Sequence, residues 1–149
     1  MKALLQRVNS ARVIIAGKRV SSIDLGLVVF VGVANDDTRK DVDYLVQKIV
    51  NQRIFSDDTG KFNLSAYDIG GELLLVSQFT LLADTRKGRR PNFTDAAPPD
   101  KAKELFEDFV EKASSTGLRV ACGRFQQYMQ VEINNDGPVT IMLDSRDRT

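Results

Sequence analysis

Two short, almost wholly apolar segments constrain the fold of this chain more than any other feature. Residues 25–33 carry no charge, and residues 73–76 read Leu-Leu-Leu-Val between Glu72 and Ser77. Segments this short and this apolar are typical of strands that other elements cover on both faces. The sequence therefore predicts a sheet with a buried interior, and the second segment leads directly into the polar residues Ser77 and Gln78.

Helical spacing occurs twice, and the other ordered segments have the character of strands. Apolar residues recur every three or four positions over residues 42–50 and 102–113, which predicts two amphipathic helices. Further strands are predicted over residues 3–8, 11–16, 19–23, 118–121, 129–133 and 139–143, with a turn at 134–138 and an irregular segment at 62–67.

The length of 149 residues is that of one ordinary domain. No repeat or linker divides it, so residues 1–149 are predicted to form a single mixed α/β domain in which β-sheets pack with two helices. Two helices cannot cover both faces of so many strands, so part of the β surface must pack on other strands, within the chain or across a dimer. A homodimer with a β-rich interface is the simpler solution, because an uncovered apolar face promotes aggregation.

Composition excludes several kinds of site. The chain has no histidine and one cysteine, so histidine-dependent triads, histidine-ligated metals and cysteine-cluster metals are excluded. We therefore expect neither a metal nor a cofactor. The 21 Lys and Arg residues exceed the 20 Asp and Glu residues by one, so any contact with nucleic acid must come from a local patch. No segment has the form of a signal peptide or a membrane span, which predicts a soluble, cytoplasmic protein without membrane contact.

Polar residues follow the second buried strand, at the position where α/β proteins bind ligands. Ser77, Gln78, Phe79 and Thr80 stand there in succession. Three of these side chains can form hydrogen bonds, and backbone N–H groups at such a strand end can stabilise an oxyanion. The alternative is an ordinary strand end whose hydroxyl groups satisfy nearby backbone groups.

A basic loop lies within the long polar connection over residues 83–99. Arg86, Lys87, Arg89 and Arg90 place four positive charges close together in a nearly neutral chain. Guanidinium groups bind phosphate bidentately, so phosphate or RNA binding is one interpretation of this loop. A solvated loop or an interface loop is the other.

The segment Asn135-Asp136-Gly137-Pro138 is a strong turn signal, and its X–Pro bond can be cis at modest energetic cost. Between two predicted strands it indicates a tight hairpin on one interpretation. On the other, it is a rigid backbone feature whose carbonyl groups point into a ligand pocket.

Two of these segments together resemble the signature motifs of the D-aminoacyl-tRNA deacylase family, of the bacterial and eukaryotic type. They are Ser-Gln-Phe-Thr-Leu at 77–81 and Asn-Asp-Gly-Pro-Val-Thr at 135–140, and they match at every defining position. The similarity covers essentially the whole chain, through residues 6–8, 70–73, 83–91, 123–125 and 129–131. It departs at residues 126–128, where Gln-Gln-Tyr replaces the small residues of many members.

The resemblance implies a homodimer that hydrolyses the ester between tRNA and a D-amino acid, or glycine misattached to alanine tRNA. It implies a cis Gly137–Pro138 peptide on a loop that enters the partner's pocket, where backbone carbonyls hold the substrate's amino group. Arg7 then braces that loop, and Met129 counts among the substrate-binding residues. A backbone screen of this kind reads chirality close to Cα, so it rejects L residues and accepts D side chains of any size.

An aminoacyl ester is already activated, so positioning and oxyanion stabilisation can suffice without histidine. We expect the N–H groups of Phe79 and Thr80 to polarise the ester carbonyl, while Ser77 and Gln78 shape the pocket. Water, or a proton route through the ribose 2′-hydroxyl, completes the reaction. Thr80 as a covalent nucleophile is the competing role, and it ranks lower because the motif contains no base.

Three other functions stay open at this point. A non-catalytic RNA-binding module would use the basic loop for phosphates and Phe79 or Phe93 for stacking. A related proofreader of L-aminoacyl mischarges would need the Gly-Pro loop turned outward. The third is a purely structural dimeric domain.

Overall fold

One large sheet and a two-helix layer make up most of the molecule. The computed structural model, which describes residues 1–148, contains β1 (Lys2–Ile15), β2 (Lys18–Ile23), β3 (Gly26–Gly32), α1 (Arg39–Asn51), β4 (Phe55–Ser56), β5 (Phe62–Leu64), α2 (Ala66–Ile69), β6 (Glu72–Ser77), α3 (Pro99–Ser114), β7 (Val120–Cys122) and β8 (Gln130–Asp144). Short 3₁₀ helices cover Phe79–Leu82 and Ser145–Asp147.

Three strands pair with β1, because it is long enough for two of them to follow one another along one edge. β2 and β3 lie along that edge, and β8 lies along the other, all antiparallel to β1. β6 then pairs parallel to β3, and β7 pairs parallel to β6. The carboxyl ends of β3, β6 and β7 therefore meet at one edge of the sheet, where α/β proteins place their sites.

Helices α1 and α3 cover one face of the sheet. Helix α1 begins with a capping box, in which the Thr38 hydroxyl accepts from the Lys40 N–H and the Asp41 carboxylate accepts from the Thr38 N–H. Its predicted apolar stripe is buried, and so is that of α3. These stripes and the inward side chains of β1, β3 and β6 form the larger core.

The opposite face of the sheet is covered in part by strands of the same chain. A second buried cluster, centred on Val8, Val13, Val28, Leu74 and Val76, contains no residue of α1 or α3. Side chains of β2, β7 and β8 complete it, and the Ser21 hydroxyl of β2 donates to the Cys122 carbonyl of β7 over 2.9 Å, although the two strands stand at opposite ends of the strand order. Strand-on-strand packing within the chain therefore supplies part of the cover that two helices cannot.

Three predicted elements differ from those observed. Residues 3–8 and 11–16 belong to one strand, β1, because β8 pairs with both halves. Residues 62–67 are ordered, with β5 paired to β4 and the short α2 beginning at a Ser65–Asp68 capping box. The predicted hairpin turn at 134–138 is wrong, because β8 continues through it and pairs with β1 on both sides.

A buried polar cluster fixes the carboxyl-terminal segment against α1. Burial raises the pKa of Asp41, but hydrogen bonds from the Ser145 hydroxyl, the Thr38 N–H and Arg148 lower it more, to about 2. The Ser145 Oγ–Asp41 Oδ1 and Arg148 Nη1–Asp41 Oδ1 distances are both 2.7 Å. The native state therefore stabilises the ionised carboxylate.

Asp41→Asn is expected to lower the free energy of unfolding by about 2 kcal/mol near neutral pH. The pKa of Asp41 is lower in the folded than in the unfolded chain, so its contribution is complete above the ordinary carboxyl pKa. That contribution disappears as the pH falls toward about 2. Urea unfolding of both chains across this range should show the difference shrinking. A difference independent of pH would contradict the assignment to the carboxylate charge.

None of the helices within residues 1–148 is both long and apolar enough to cross a lipid bilayer.

Candidate active site

The candidate site begins where the parallel strands β3 and β6 end side by side. Val31 and Ser77 are partners in this ladder, and the Gln78 N–H donates to the Val31 carbonyl over 2.8 Å. The chain then turns into the 3₁₀ helix Phe79–Leu82. Sequence analysis predicted the strand end at this position, and the turn that follows it brings the motif residues over the edge of the sheet.

A glycine on β3 permits this turn to lie flat against the sheet. A Cβ on Gly32 would lie 2.5 Å from Leu82 Cδ2 and 3.1 Å from the Gln78 carbonyl oxygen. Leu82 Cδ2 ends a flexible side chain, but the Gln78 oxygen belongs to the backbone, so a side chain at Gly32 would require the backbone of the turn to shift by a few tenths of an ångström. The position of the Phe79–Leu82 turn therefore depends on a residue of the neighbouring strand.

The turn leaves two backbone N–H groups free at its amino-terminal end. The first hydrogen bond of the turn runs from the Leu81 N–H to the Gln78 carbonyl. The N–H groups of Phe79 and Thr80 come before this bond in the chain, so they take no part in the hydrogen bonding of the turn. Within residues 1–148 neither has an acceptor. The Gln78 amide donates to the Thr80 hydroxyl. Adjacent unpaired N–H groups of this kind can stabilise a developing oxyanion.

An open cleft of about 880 Å³ lies beside this turn. Ser77, Gln78 and Phe79 line one wall. Phe79 is 55% exposed and packs edge-on against Phe93, with ring centroids 5.0 Å apart and planes at 64°. The cleft therefore combines polar groups at the strand end with an aromatic wall, the usual composition of a small-molecule or nucleotide site.

Met129 also lines this cleft. Its sulfur accepts a hydrogen bond from the Arg124 N–H over 3.2 Å, and it packs against the strand-only cluster. Met129 therefore packs against the core and also lines the cleft, where the resemblance places a substrate-binding residue.

The second motif forms a bulge within β8. Gln6 pairs with Thr140 and Val8 pairs with Asn135, so residues 136–139 stand outside the ladder opposite a single residue of β1. We call residues 136–139 the Gly-Pro bulge. The Asn135 side chain closes it, accepting from the Val139 N–H over 3.2 Å and donating to the Thr140 hydroxyl over 3.0 Å. The Gly137–Pro138 peptide is cis, as the resemblance implies.

Arg7 is the single residue of β1 that faces the Gly-Pro bulge. Its guanidinium is buried, and Nε lies 3.2 Å from the Asp136 carbonyl oxygen and 3.4 Å from the Asp136 carboxylate. Nη1 donates to the Ile54 carbonyl over 2.8 Å, and the guanidinium carbon lies 5.4 Å from the centre of the Phe62 ring. Arg7 thus links the bulge to the segment that follows α1.

The two motifs do not meet within one chain. Arg7, Gly137 and Pro138 contribute nothing to the cleft wall, whereas Ser77, Gln78, Phe79 and Met129 line it together. Thr80 is exposed on the turn beside this wall.

The basic loop projects into solvent next to the aromatic wall. Backbone hydrogen bonds between Asp84 and Asn92, of 2.7 and 2.9 Å, close its base one residue from Phe93. Arg86 folds back onto the Asp84 carboxylate at 2.7 Å, and this contact lowers the pKa of Asp84 to about 2. In the described part of the chain, Lys87, Arg89 and Arg90 form no salt bridge.

Some lining residues were missed by sequence reasoning. Pro98 and Phe125 line the cleft although no motif marks their contribution, and Gln126, in the segment that departs from the family pattern, lines it as well. Pro98 lies just before α3, in the connection whose length alone suggested function. Phe125 and Gln126 follow β7, and only tertiary packing brings them to the cleft.

The chain is similar in sequence to proteins of one family. Residues 4–144 match the family model described as D-Tyr-tRNA(Tyr) deacylase. The D-aminoacyl-tRNA deacylase of Kosmotoga olearia is 60% identical over 146 residues, which cover 98% of each chain. That of Caldicellulosiruptor saccharolyticus is 56% identical over 146 residues, again 98% of each chain.

Two solved structures share the fold. The structure described as c-Myc DNA Unwinding Element Binding Protein has a TM-score of 0.92 and 42% identity, and the match covers 97% of this chain and 98% of the other. A structure of a probable eukaryotic D-amino acid tRNA deacylase has a TM-score of 0.85, with 95% and 97% coverage. Its identity of 17% supports the fold alone.

Proposed function

The chain belongs to the D-Tyr-tRNA(Tyr) deacylase family, and we propose that it hydrolyses the ester between a D-amino acid and the 3′-terminal ribose of tRNA. Glycine misattached to alanine tRNA is a second substrate of the same activity. The match over residues 4–144, which includes both motifs, carries the proposal. The place of action is the cytoplasm, where aminoacyl-tRNA is used.

The active species in this proposal is a homodimer. Strands β1 and β8 leave an apolar row on the face opposite the helices, where Leu4 is registered with Phe30 and with Met142. Met142 is 50% exposed, and Leu4 and Phe30 are half-buried. A second copy packed here would cover this row. It would also lie next to the Gly-Pro bulge, which ends directly before Thr140, two residues from Met142 on the same strand.

In that dimer, the Gly-Pro bulge of one copy enters the cleft of the other. The carbonyl groups of Gly137 and Pro138 would then bind the substrate's amino group, because residues 136–139 are outside the strand ladder. Arg7 holds the bulge in position through its bonds to Asp136 and Ile54. A fixed backbone discriminates between the two configurations at Cα and needs no pocket for the side chain. D residues of any size and glycine are therefore accepted, and L residues are rejected.

The chemistry in this proposal is electrostatic. The unpaired N–H groups of Phe79 and Thr80 would donate to the ester carbonyl as negative charge develops on its oxygen. Ser77 and Gln78 shape the pocket, and Phe79 packs near the terminal adenosine. The chain has no histidine, so the attacking water would lose its proton to solvent or through the ribose 2′-hydroxyl.

The basic loop would contact the phosphates of the tRNA. Lys87, Arg89 and Arg90 are exposed and carry no ion-pair partner within residues 1–148, so their charge is available to a ligand. Arg86 shares its charge with Asp84 and would contribute less. Contacts of this kind release counterions, so tRNA affinity would fall steeply with salt.

Hydrolysis of matched substrates tests the function. The same tRNA, charged with D-tyrosine or L-tyrosine, is incubated with the purified chain, and the release of free amino acid is measured. We expect rapid hydrolysis of the D ester and almost none of the L ester. Binding without turnover would favour a non-catalytic RNA-binding module, whereas preference for the L ester would favour a proofreader of L-aminoacyl mischarges.

Thr80→Ala separates the two roles considered for this residue. Within residues 1–148, the Thr80 hydroxyl accepts a side-chain hydrogen bond from the Gln78 amide, which cannot act as a base. We expect the variant to keep activity within about tenfold of the parent, since only one hydrogen bond is lost. Complete loss in a chain of unchanged melting temperature, with activity retained in Thr80→Ser, would indicate a nucleophile instead.

A further inference from the structure

The segment Arg124–Tyr128 forms an exposed rim on the cleft, and it ends in the most exposed aromatic side chain of the described residues. Tyr128 is 96% exposed and lines the cleft together with Gln126 and Gln127. It shares that cleft with the Phe79–Phe93 pair. A large aromatic group therefore stands in water at the mouth of the candidate active site.

This rim is a fixed turn, because both of its ends are anchored in different cores. Phe125 packs against the cluster under the helices, and Met129 packs against the strand-only cluster. The Gln127 N–H donates to the Arg124 carbonyl over 3.3 Å, and the Arg124 N–H donates to the Met129 sulfur. The backbone position of Tyr128 is therefore set by two partly buried neighbours, Phe125 and Met129.

We propose that Tyr128 is a stacking platform for an unpaired base of the RNA, upstream of the esterified terminal nucleotide. The proposal rests on the proposed function, since the rim borders the cleft that would hold the 3′ end of the RNA, and Tyr128 stands within reach of a base that leaves the cleft on this side. Unpaired bases of any identity stack on exposed aromatic side chains, because every base has a π-face. Arg124 is exposed at the other end of the same turn, where its positive charge can attract the phosphate groups next to the stacked base.

A binding measurement tests this stacking without requiring turnover. The chain contains no tryptophan, so Tyr128→Trp introduces a single indole at the rim. We expect its fluorescence to be quenched on titration with a single-stranded RNA oligonucleotide ending in CCA. Tyr67→Trp is the matched control, because Tyr67 is 58% exposed on α2 and does not line the cleft. Equal quenching at both positions, or none at position 128, would overturn the proposal.

A kinetic comparison gives the second test. Tyr128→Ala should raise KM for D-tyrosyl-tRNA about tenfold and leave kcat unchanged, whereas Tyr128→Phe should match the parent. D-tyrosyl-adenosine lacks the upstream bases, so both variants should hydrolyse it like the parent. Equal losses on both substrates would overturn the stacking role, and so would a weaker dimer with unaltered KM. If the parent hydrolysed neither substrate, the proposed function would fail, and the fluorescence titration would still decide the stacking.

Discussion

Gly137→Ala is expected to lower kcat/KM on D-aminoacyl-tRNA by about a hundredfold or more, with the chain still folded. Gly137 has φ +123°, a backbone conformation that side chains rarely allow. A Cβ there would lie 3.0 Å from Arg7 Nη2, 3.0 Å from Val139 Cγ2 and 3.3 Å from the Val139 nitrogen. The bulge must therefore shift, and with it the carbonyl groups proposed to bind the substrate. The stability cost should be only about 1–2 kcal/mol, because the change is local.

Gly60→Ala is the matched control for this substitution. Gly60 also has positive φ, +79°, but a Cβ there meets nothing within 4 Å, and the residue lies in the turn between β4 and β5. We expect a similar loss of melting temperature and unchanged hydrolysis. If Gly137→Ala kept parental activity while its melting temperature fell, the bulge would have no part in catalysis.

The sequence predicted the buried centre of the fold because the information there is local. The apolar segments became β3 and β6, and the two helical stripes became the buried faces of α1 and α3. The position of the candidate site at the end of β6 followed from the same reasoning, since polar residues directly after a buried strand lie at the edge of the sheet.

What the sequence could not predict depends on partners distant in the chain. Residues 134–138 have the composition of a turn, yet they stay within β8 because β1 pairs with the strand on both sides of the bulge. The contact of Arg7 with residues 136–139 was expected only through the family resemblance, because nothing near Arg7 in the sequence indicates it. The cleft wall likewise joins Phe79 to Phe93 and Phe125 through tertiary packing. Helix α2 was not predicted, because its four residues are too few to show helical periodicity, although Ser65 and Asp68 have the spacing of a capping box.

Arg7→Lys is expected to reduce activity on D-aminoacyl-tRNA about thirtyfold and to destabilise the fold by about 2 kcal/mol. The arginine binds two carbonyl groups at once, at 2.8 Å to Ile54 and 3.2 Å to Asp136, and its plane lies over the Phe62 ring. A single ammonium group cannot occupy both positions. One buried carbonyl would lose its donor, and the bulge would lose the contact that fixes it.

Arg12→Lys is the control on the same strand. Arg12 pairs with Glu132 of β8 across an exposed part of the ladder, so a lysine can keep that ion pair, and we expect neither activity nor stability to change measurably. Asp136→Asn extends the comparison, because the Asp136 side chain is 41% exposed and Arg7 also binds the backbone carbonyl, which the substitution keeps. Asp136→Asn should therefore cost far less activity than Arg7→Lys. If the two variants lost activity equally, the ion pair, and not the bracing of the backbone, would be what Arg7 contributes.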